Sequence, residues 1–313
     1  MVISIDLGNK NVKTDNEVIP TSLYKTPFNV GFGEPALKYN GNYYYASGQR
    51  LKYCKDKTTD ESFYILNLIA VAKELDKALK EAGNTDKVIT NNLTLLHGLP
   101  PAHMKMAKKY KEYFESDDYV TFEYNSRTYN IRFNHVYVYP QAYAAAVTTF
   151  DTYDFSKNPK VVVIDIGGFT ADYLLLENQI LNRDVCGSLN KGIILLYNKI
   201  STMANDNFDL SLDEGDIDRL LGGRLLNGNQ QLLDAVQSMA QDFVDTFFEG
   251  FAEKDIELKT VNIIFVGGGA LTLKPYIMKS PLIKAENVSF IDDIKANVKG
   301  YRECYEIQQS VAE

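Results

Sequence analysis

Two short stretches place a carboxylate next to a glycine turn, and their chemistry organises the rest of the chain. Val161 to Ile164 runs four β-branched residues into Asp165, and Gly167-Gly168 then turn the backbone so tightly that a side chain would obstruct a ligand. This spelling describes a strand that delivers a carboxylate to a phosphate-binding turn. Ala171 to Glu177 resumes as a second apolar strand, so the unit is a hairpin with glycines at its tip and not a strand-to-helix P-loop. An ordinary Gly-Gly hairpin with a solvated Asp would be spelled the same way. The N-terminus repeats the device: an apolar strand, Asp6 at its end, Gly8 in the turn, then a polar strand that ends in Lys13. A third glycine turn, Gly267-Gly268-Gly269, follows the apolar run Val261 to Val266.

The elements that must hold these turns are legible from periodicity. Thr59-Asp60 caps a helix over 61–82, whose apolar residues Ile65, Leu68, Ile69, Ala72, Leu75 and Leu79 share one face and which stops at Gly83. The run 92–99, closed by Pro100-Pro101, reads as a buried strand, and 102–114 reads as a helix. Strands follow over 119–139, with a turn at Asn125-Ser126. Pro140-Gln141 then opens a helix of small residues, suited to a close approach to another backbone. In the second half, helices are expected over 190–204, 211–221, 230–254, 271–278 and 297–308. Asp234, Gln237 and Gln241 share one face of the long helix, either as its wet side or as groups near a nucleoside. The architecture is α/β, with a strand-turn-strand device in each half and an insertion in each.

Composition excludes more than it assigns. The chain has 313 residues, 45% hydrophobic and 24% charged, enough for two domains with separate cores. A net charge of −8 argues against nonspecific DNA binding, which needs a basic footprint. Cys54, Cys186 and Cys304 form no C-x-x-C pair, and His97, His103 and His135 are equally scattered, so neither a disulfide framework nor a zinc site is indicated. No stretch approaches the ~20 apolar residues that cross a bilayer. A cytoplasmic protein in a reducing compartment, with no membrane partner, is expected. No G-x-G-x-x-G follows a first βα unit, which argues against a dinucleotide enzyme.

Two carboxylate hairpins and a later triple-glycine turn resemble the nucleotide site of the actin, heat-shock chaperone and sugar kinase superfamily. Within it, the chain looks most like the bacterial actin-like ParM/StbA group that segregates plasmids. The motifs that carry the resemblance are Asp6…Gly8…Asn11-Val12-Lys13, Pro140-Gln141, Ile164-Asp165-Ile166-Gly167-Gly168…Thr170-Ala171-Asp172 and Val266-Gly267-Gly268-Gly269. The resemblance implies an actin-like fold of two similar domains, each a mixed sheet flanked by helices, with a nucleotide in the cleft between them. Domain I would span 1–150 with an insertion over about 33–138, and domain II 151–313 with an insertion over about 200–258. Asp6 and Asp165 would hold hydrated Mg²⁺, which takes one or two carboxylates plus substrate phosphates. Phosphate contacts would come from Gly8, Asn9, Lys10, Asn11 and Lys13 on one side, and from Gly167, Gly168, Phe169, Thr170, Lys191 and Gly192 on the other. Gly267, Gly268, Gly269 and Ala270 would lie under the α-phosphate and nucleoside. Gln141, the residue after the proline, would face the terminal phosphate and the attacking water, with Asp165 as its catalytic companion.

The function this implies is a Mg²⁺-dependent ATPase, with GTP as the alternative nucleotide. It would polymerise with itself and move plasmid or similar DNA through a DNA-binding adaptor, without touching nucleic acid directly. A small-molecule kinase of the same fold would need an acidic base near the γ-phosphate, for which Asp172 is the nearest residue. A cell-shape or division homologue usually carries an amphipathic anchor, and the polar end Gln308-Gln309-Ser310-Val311-Ala312-Glu313 does not read as one.

Overall fold

The computed structural model describes residues 1–312 except 32, 34, 156, 158 and 255. The chain divides into two compact units. In the first, β1 (Val2–Leu7) and β2 (Asn11–Thr14) form the expected N-terminal hairpin, followed by β3 (Val18–Pro20), β4 (Ser22–Thr26), β5 (Leu37–Tyr39) and β6 (Asn42–Arg50). Then come α1 (Glu61–Glu81), β7 (Val88–Leu99), α2 (Ala107–Phe114), β8 (Val120–Tyr124), β9 (Arg127–Pro140) and the five-residue α3 (Tyr143–Val147). These strands make a nine-stranded sheet in the order β3-β2-β1-β7-β9-β8-β5-β6-β4. The long helix begins where its cap predicts, since the Asp60 side chain accepts from the Ser62 N–H, a contact worth about 1 kcal/mol. Its apolar face packs with Ile3, Ile5, Leu93 and Leu95 into one core.

The second unit has a five-stranded sheet of order β12-β11-β10-β13-β14. It is built from β10 (Lys160–Ile166), β11 (Ala171–Glu177), β12 (Ile180–Leu189), β13 (Asn262–Val266) and β14 (Val288–Phe290). Three helices, α4 (Ile193–Phe208), α5 (Glu214–Leu221) and α6 (Gln230–Ala252), lie between β12 and β13, and α7 (Gly268–Ile277) follows β13. Strand β10 is antiparallel to β11 and parallel to β13, so the Asp165 hairpin and the glycine turn emerge side by side at the same sheet end. Val162, Ile164 and Phe265 anchor these strands in a core shared with the aromatic face of α6, including Phe247, Phe248 and Phe251.

The last helix, α8 (Ala296–Ala312), corrects the expected second boundary. The first unit comprises Met1–Thr148 together with the stretch from Lys295 onward, so 151–313 is not one domain. Periodicity marked 297–308 as a helix but not the sheet it joins. Two contacts decide it: the Ser4 hydroxyl donates to Val298 O at 2.6 Å, and Gly300 lies so close to α3 that a Cβ there would sit 1.9 Å from Ala144 O.

Candidate functional site

The two hairpins share one frame. In the first, Asp6 is register partner to Lys13 and Leu7 to Val12, leaving Gly8 to Asn11 as the tip. In the second, Asp165 is partner to Asp172 and Ile166 to Ala171, leaving Gly167 to Thr170 as the tip. Each carboxylate therefore leaves its strand two residues before the tip begins, with its cross-strand partner on the same face.

In the first unit the structure brings Asp6, Lys13 and Gln141 together. Asp6 is buried, and its Oδ1 accepts from Gln141 Nε2 at 2.8 Å while Oδ2 faces Lys13 Nζ at 3.4 Å. Lys13 is thereby tied to Asp6 across the hairpin. Gly8 is required sterically, because a Cβ there would sit 2.4 Å from Asn11 O. The tip is braced from behind: Thr21 Oγ1 donates to Gly8 O at 2.7 Å, and the Thr21 N–H to Lys10 O at 3.1 Å. Asn9 Oδ1 faces the Cys54 N–H at 3.5 Å. The buried Lys57 donates to Leu7 O and lies 5.5 Å from the centre of the Phe63 ring.

Beside the first hairpin lies an aromatic bed. His97 stacks on Phe114 with ring centres 4.9 Å apart and meets Tyr110 edge-on at 5.6 Å. Burial, helped by the Lys57 charge, pushes the His97 pKa down to about 3, so the imidazole is neutral. Burial raises the Tyr110 pKa, with the Asp6 carboxylate adding to the effect.

In the second unit Asp165 ends its strand beside the tip Gly167, Gly168, Phe169 and Thr170, which is closed by Gly167 N–H to Thr170 O at 2.9 Å. Of Lys191 and Gly192, expected as phosphate contacts, Gly192 supports this tip from the start of α4, and Lys191 points to α6. The N–H groups of Gly192, Ile193 and Ile194 donate to Phe169 O, Gly167 O and Gly168 O at 3.0, 3.1 and 2.8 Å. A Cβ on Gly192 would sit 2.3 Å from Gly168 O, and Lys191 Nζ donates to Thr246 O at 2.8 Å. The glycine turn is equally constrained. Gly267 has φ 91°, and a Cβ there would meet Asp165 Oδ1 at 2.3 Å; one on Gly269 would meet Ile166 O at 2.6 Å. Gly268 opens α7 one turn earlier than periodicity indicated, and Ala270 is fully buried within it. Gln241 faces inward, donating to Tyr276 O at 3.2 Å, while Asp234 accepts from Gln230 at 2.7 Å. Asp172 accepts from the Thr170 hydroxyl at 3.4 Å and is buried.

Sequence reasoning missed Asn297, Thr21 and Lys57. Pro140 ends a strand and does not open a helix, because α3 begins only at Tyr143. Between them Ala142 has φ 61°, and its N–H donates to Asn297 Oδ1 at 2.9 Å. No spacing rule links positions so far apart in the chain.

Among the described residues no group of three or more His, Cys, Asp or Glu side chains could cage a metal. The carboxylates nonetheless suit a hard cation that takes most of its ligands from water and phosphate, and the register sets Asp165 and Asp172 opposite one another on one face of their hairpin. None of the helices described is long and apolar enough to cross a membrane.

Two family models match the chain: the N-terminal domain of actin-like proteins over residues 4–143, and the C-terminal domain of the MreB-like archaeal actin homologue over residues 163–279. No curated protein sequence matches it. Solved structures share its fold along nearly the whole length. The archaeal actin homologue Ta0583 in complex with ADP is 20% identical, with 98% of this chain and 99% of that one covered and a TM-score of 0.71. The ParM of a 15-stranded filament from Clostridium botulinum is 16% identical, with 98% and 99% covered and a TM-score of 0.74. The actin-like protein Alp7A is 16% identical, with 100% and 99% covered and a TM-score of 0.71. With each half matched by a model of this kind and the fold shared from end to end, the chain belongs to the actin-like proteins.

Proposed function

We propose that this chain is a Mg²⁺-dependent ATPase that assembles with itself into filaments and moves plasmid or similar DNA through a DNA-binding adaptor. The observation that carries this reading is the repeated hairpin. Each unit presents a buried carboxylate two residues before a glycine-bearing tip, in the same register. The tips offer backbone N–H groups to phosphates, with further donors at the start of α7. Asp6 and Asp165 would hold Mg²⁺ through its water shell, and the cation would neutralise charge on the phosphates. Gln141 is aimed by its hydrogen bond to Asp6. A carboxamide is a poor general base, so Gln141 orients and polarises the attacking water, which suffices where the transition state is loose. Similarity to a structure solved with ADP and to filament structures supports nucleotide binding and assembly.

Asp172 favours a second reading, a small-molecule kinase, because it lies on the same face as Asp165 and could deprotonate an acceptor hydroxyl. One experiment separates the two. Light scattering and phosphate release are followed together after adding ATP and Mg²⁺ with no acceptor present, then with GTP. Polymer that forms with ATP, weakens with ADP and releases phosphate supports the filament. Monomer at tens of micromolar protein, a concentration at which weak interfaces populate, with no phosphate released, supports the kinase. Gln141→Ala should still bind ATP and assemble but release phosphate about tenfold more slowly, ~1.4 kcal/mol on the barrier, so its filaments should persist.

A further inference from the structure

We infer that Asn297, on the first turn of the C-terminal helix, is a positioning residue that sets the orientation of Gln141. This rests on the proposed role of Gln141 in water activation. Between β9 and α3 the chain makes a three-residue turn in which the Tyr143 N–H donates to Gln141 O at 2.6 Å. Its central residue, Ala142, has φ 61° and ψ −49°, the rare and strained form of such a turn. A side chain with a Cβ does not hold that conformation unaided. Ala142 is also fully buried, so its N–H needs an acceptor inside the protein. Asn297 Oδ1 supplies it at 2.9 Å, and since an N–H can be answered only by the oxygen of the carboxamide, the Asn orientation is fixed.

The other face of the turn carries the functional group. The Gln141 N–H is fixed to Leu99 O at 2.8 Å, and its Nε2 reaches Asp6 Oδ1 at 2.8 Å. If the Ala142 turn relaxes, the Gln141 Cα–Cβ direction rotates and the side chain leaves Asp6. Asn297 is itself held rigidly. Val298 O accepts from Ser4, Gly300 is packed against Ala144 O, and Arg302 pairs with Asp15. Lys295 Nζ adds a bond to Asp15 O at 3.1 Å. A segment some 150 residues beyond Gln141 thus supplies the acceptor that maintains the strained turn.

The test compares steady-state phosphate release, KM for ATP with Mg²⁺, and thermal stability for wild type, Asn297→Ala, Asn297→Asp and Asn297→Ala combined with Ala142→Gly. Asn297→Ala should lower kcat about fivefold or more and leave KM within about twofold. Asn297→Asp keeps an oxygen acceptor and should retain at least half of the wild-type kcat. Glycine adopts the turn without strain, so Ala142→Gly should restore most of the kcat lost in Asn297→Ala. An unchanged kcat in Asn297→Ala, or an equal loss in a folded Asn297→Asp, overturns the inference. Should Asn297→Ala fail to fold, the Asp variant decides on the same criterion. A wild-type chain that releases no phosphate overturns the proposed function and this inference together, whereas an active wild type with an equally active Asn297→Ala overturns the inference alone.

Discussion

The two hairpins are alike in register and opposite in how they place their carboxylate. Asp6 faces Lys13 across the hairpin and is gripped by Gln141, so side chains of opposite polarity fix it. Asp165 faces Asp172 instead, and it stands where Gly267 leaves room, with its tip carbonyls bonded by the first N–H groups of α4. The first hairpin is satisfied by polar side chains, and the second is shaped by backbone and by absent Cβ atoms. One duplicated device can therefore be kept by two different kinds of interaction. The first depends on the polar groups of Lys13 and Gln141, and the second on the missing Cβ atoms of Gly192, Gly267 and Gly269.

The largest effect should come from removing the carboxylates themselves. Asp165→Ala and Asp6→Ala should each lower Mg²⁺-dependent phosphate release about a thousandfold, roughly 4 kcal/mol of barrier, while circular dichroism and melting show a retained fold. A variant that unfolds would show that its carboxylate bridges backbone instead. Next in size is Gly267→Ala, which combines a left-handed φ with a Cβ at contact distance from Asp165 and Ile166 O. A loss of about 3 kcal/mol in denaturant melts is expected. Gly268→Ala, with nothing within 4 Å of its Cβ, is the control. Equal behaviour of the two would remove the idea that space, not polarity, governs the second site.

Acid should separate the units, because all three histidines lie within the first, at positions 97, 103 and 135. His97 is held neutral with a pKa of about 3, below the ordinary 6.5. A histidine with a depressed pKa contributes fully above the unfolded value and loses that contribution as pH falls below it, because the unfolded chain binds the proton first. Between pH 7 and pH 5 this costs about 2 kcal/mol. Hydrogen exchange should show Leu93 to Leu96 losing protection over that range, and His97→Phe should flatten the slope. An unchanged slope in that variant would place the acid lability elsewhere.

The smallest effect sharpens the comparison most. Asp172→Asn removes one of two opposed carboxylates and should raise the stability of the nucleotide-free protein by about 0.5 kcal/mol, in the range of cross-strand like-charge pairs. The same change should weaken Mg²⁺-dependent nucleotide binding. A fall in stability would show that the second hairpin is not charge-strained, and that it resembles the first more closely than its residues suggest.

What the sequence determined by itself was local. Alternation and β-branching fixed the two hairpins, because each is closed by pairs near in sequence, from Ile5 with Thr14 in the first to Lys160 with Glu177 in the second, and the Asp-Gly spacing set the carboxylate before the tip in both. Asp60 and Gly83 bounded α1 for the same reason: caps act within one helical turn. Tertiary structure decided what joins distant positions. The helix over 297–308 was legible as a helix, yet its place in the first unit depends on a glycine fitting against Ala144 O and a serine finding Val298 O, neither of which has a periodicity. The same holds for the strained Ala142 turn. An alanine in an apparent small-residue helix reads as helix former, whereas in the fold Ala142 has φ 61° and gives its N–H to Asn297, a partner 155 residues away. Lys191 and Gly192 could be read from the sequence as neighbours of the Gly167-Gly168 turn. That Gly192 holds the turn through its backbone N–H follows from where α4 begins, which is set by packing of Ile193, Leu196 and Tyr197 into the core of the second unit.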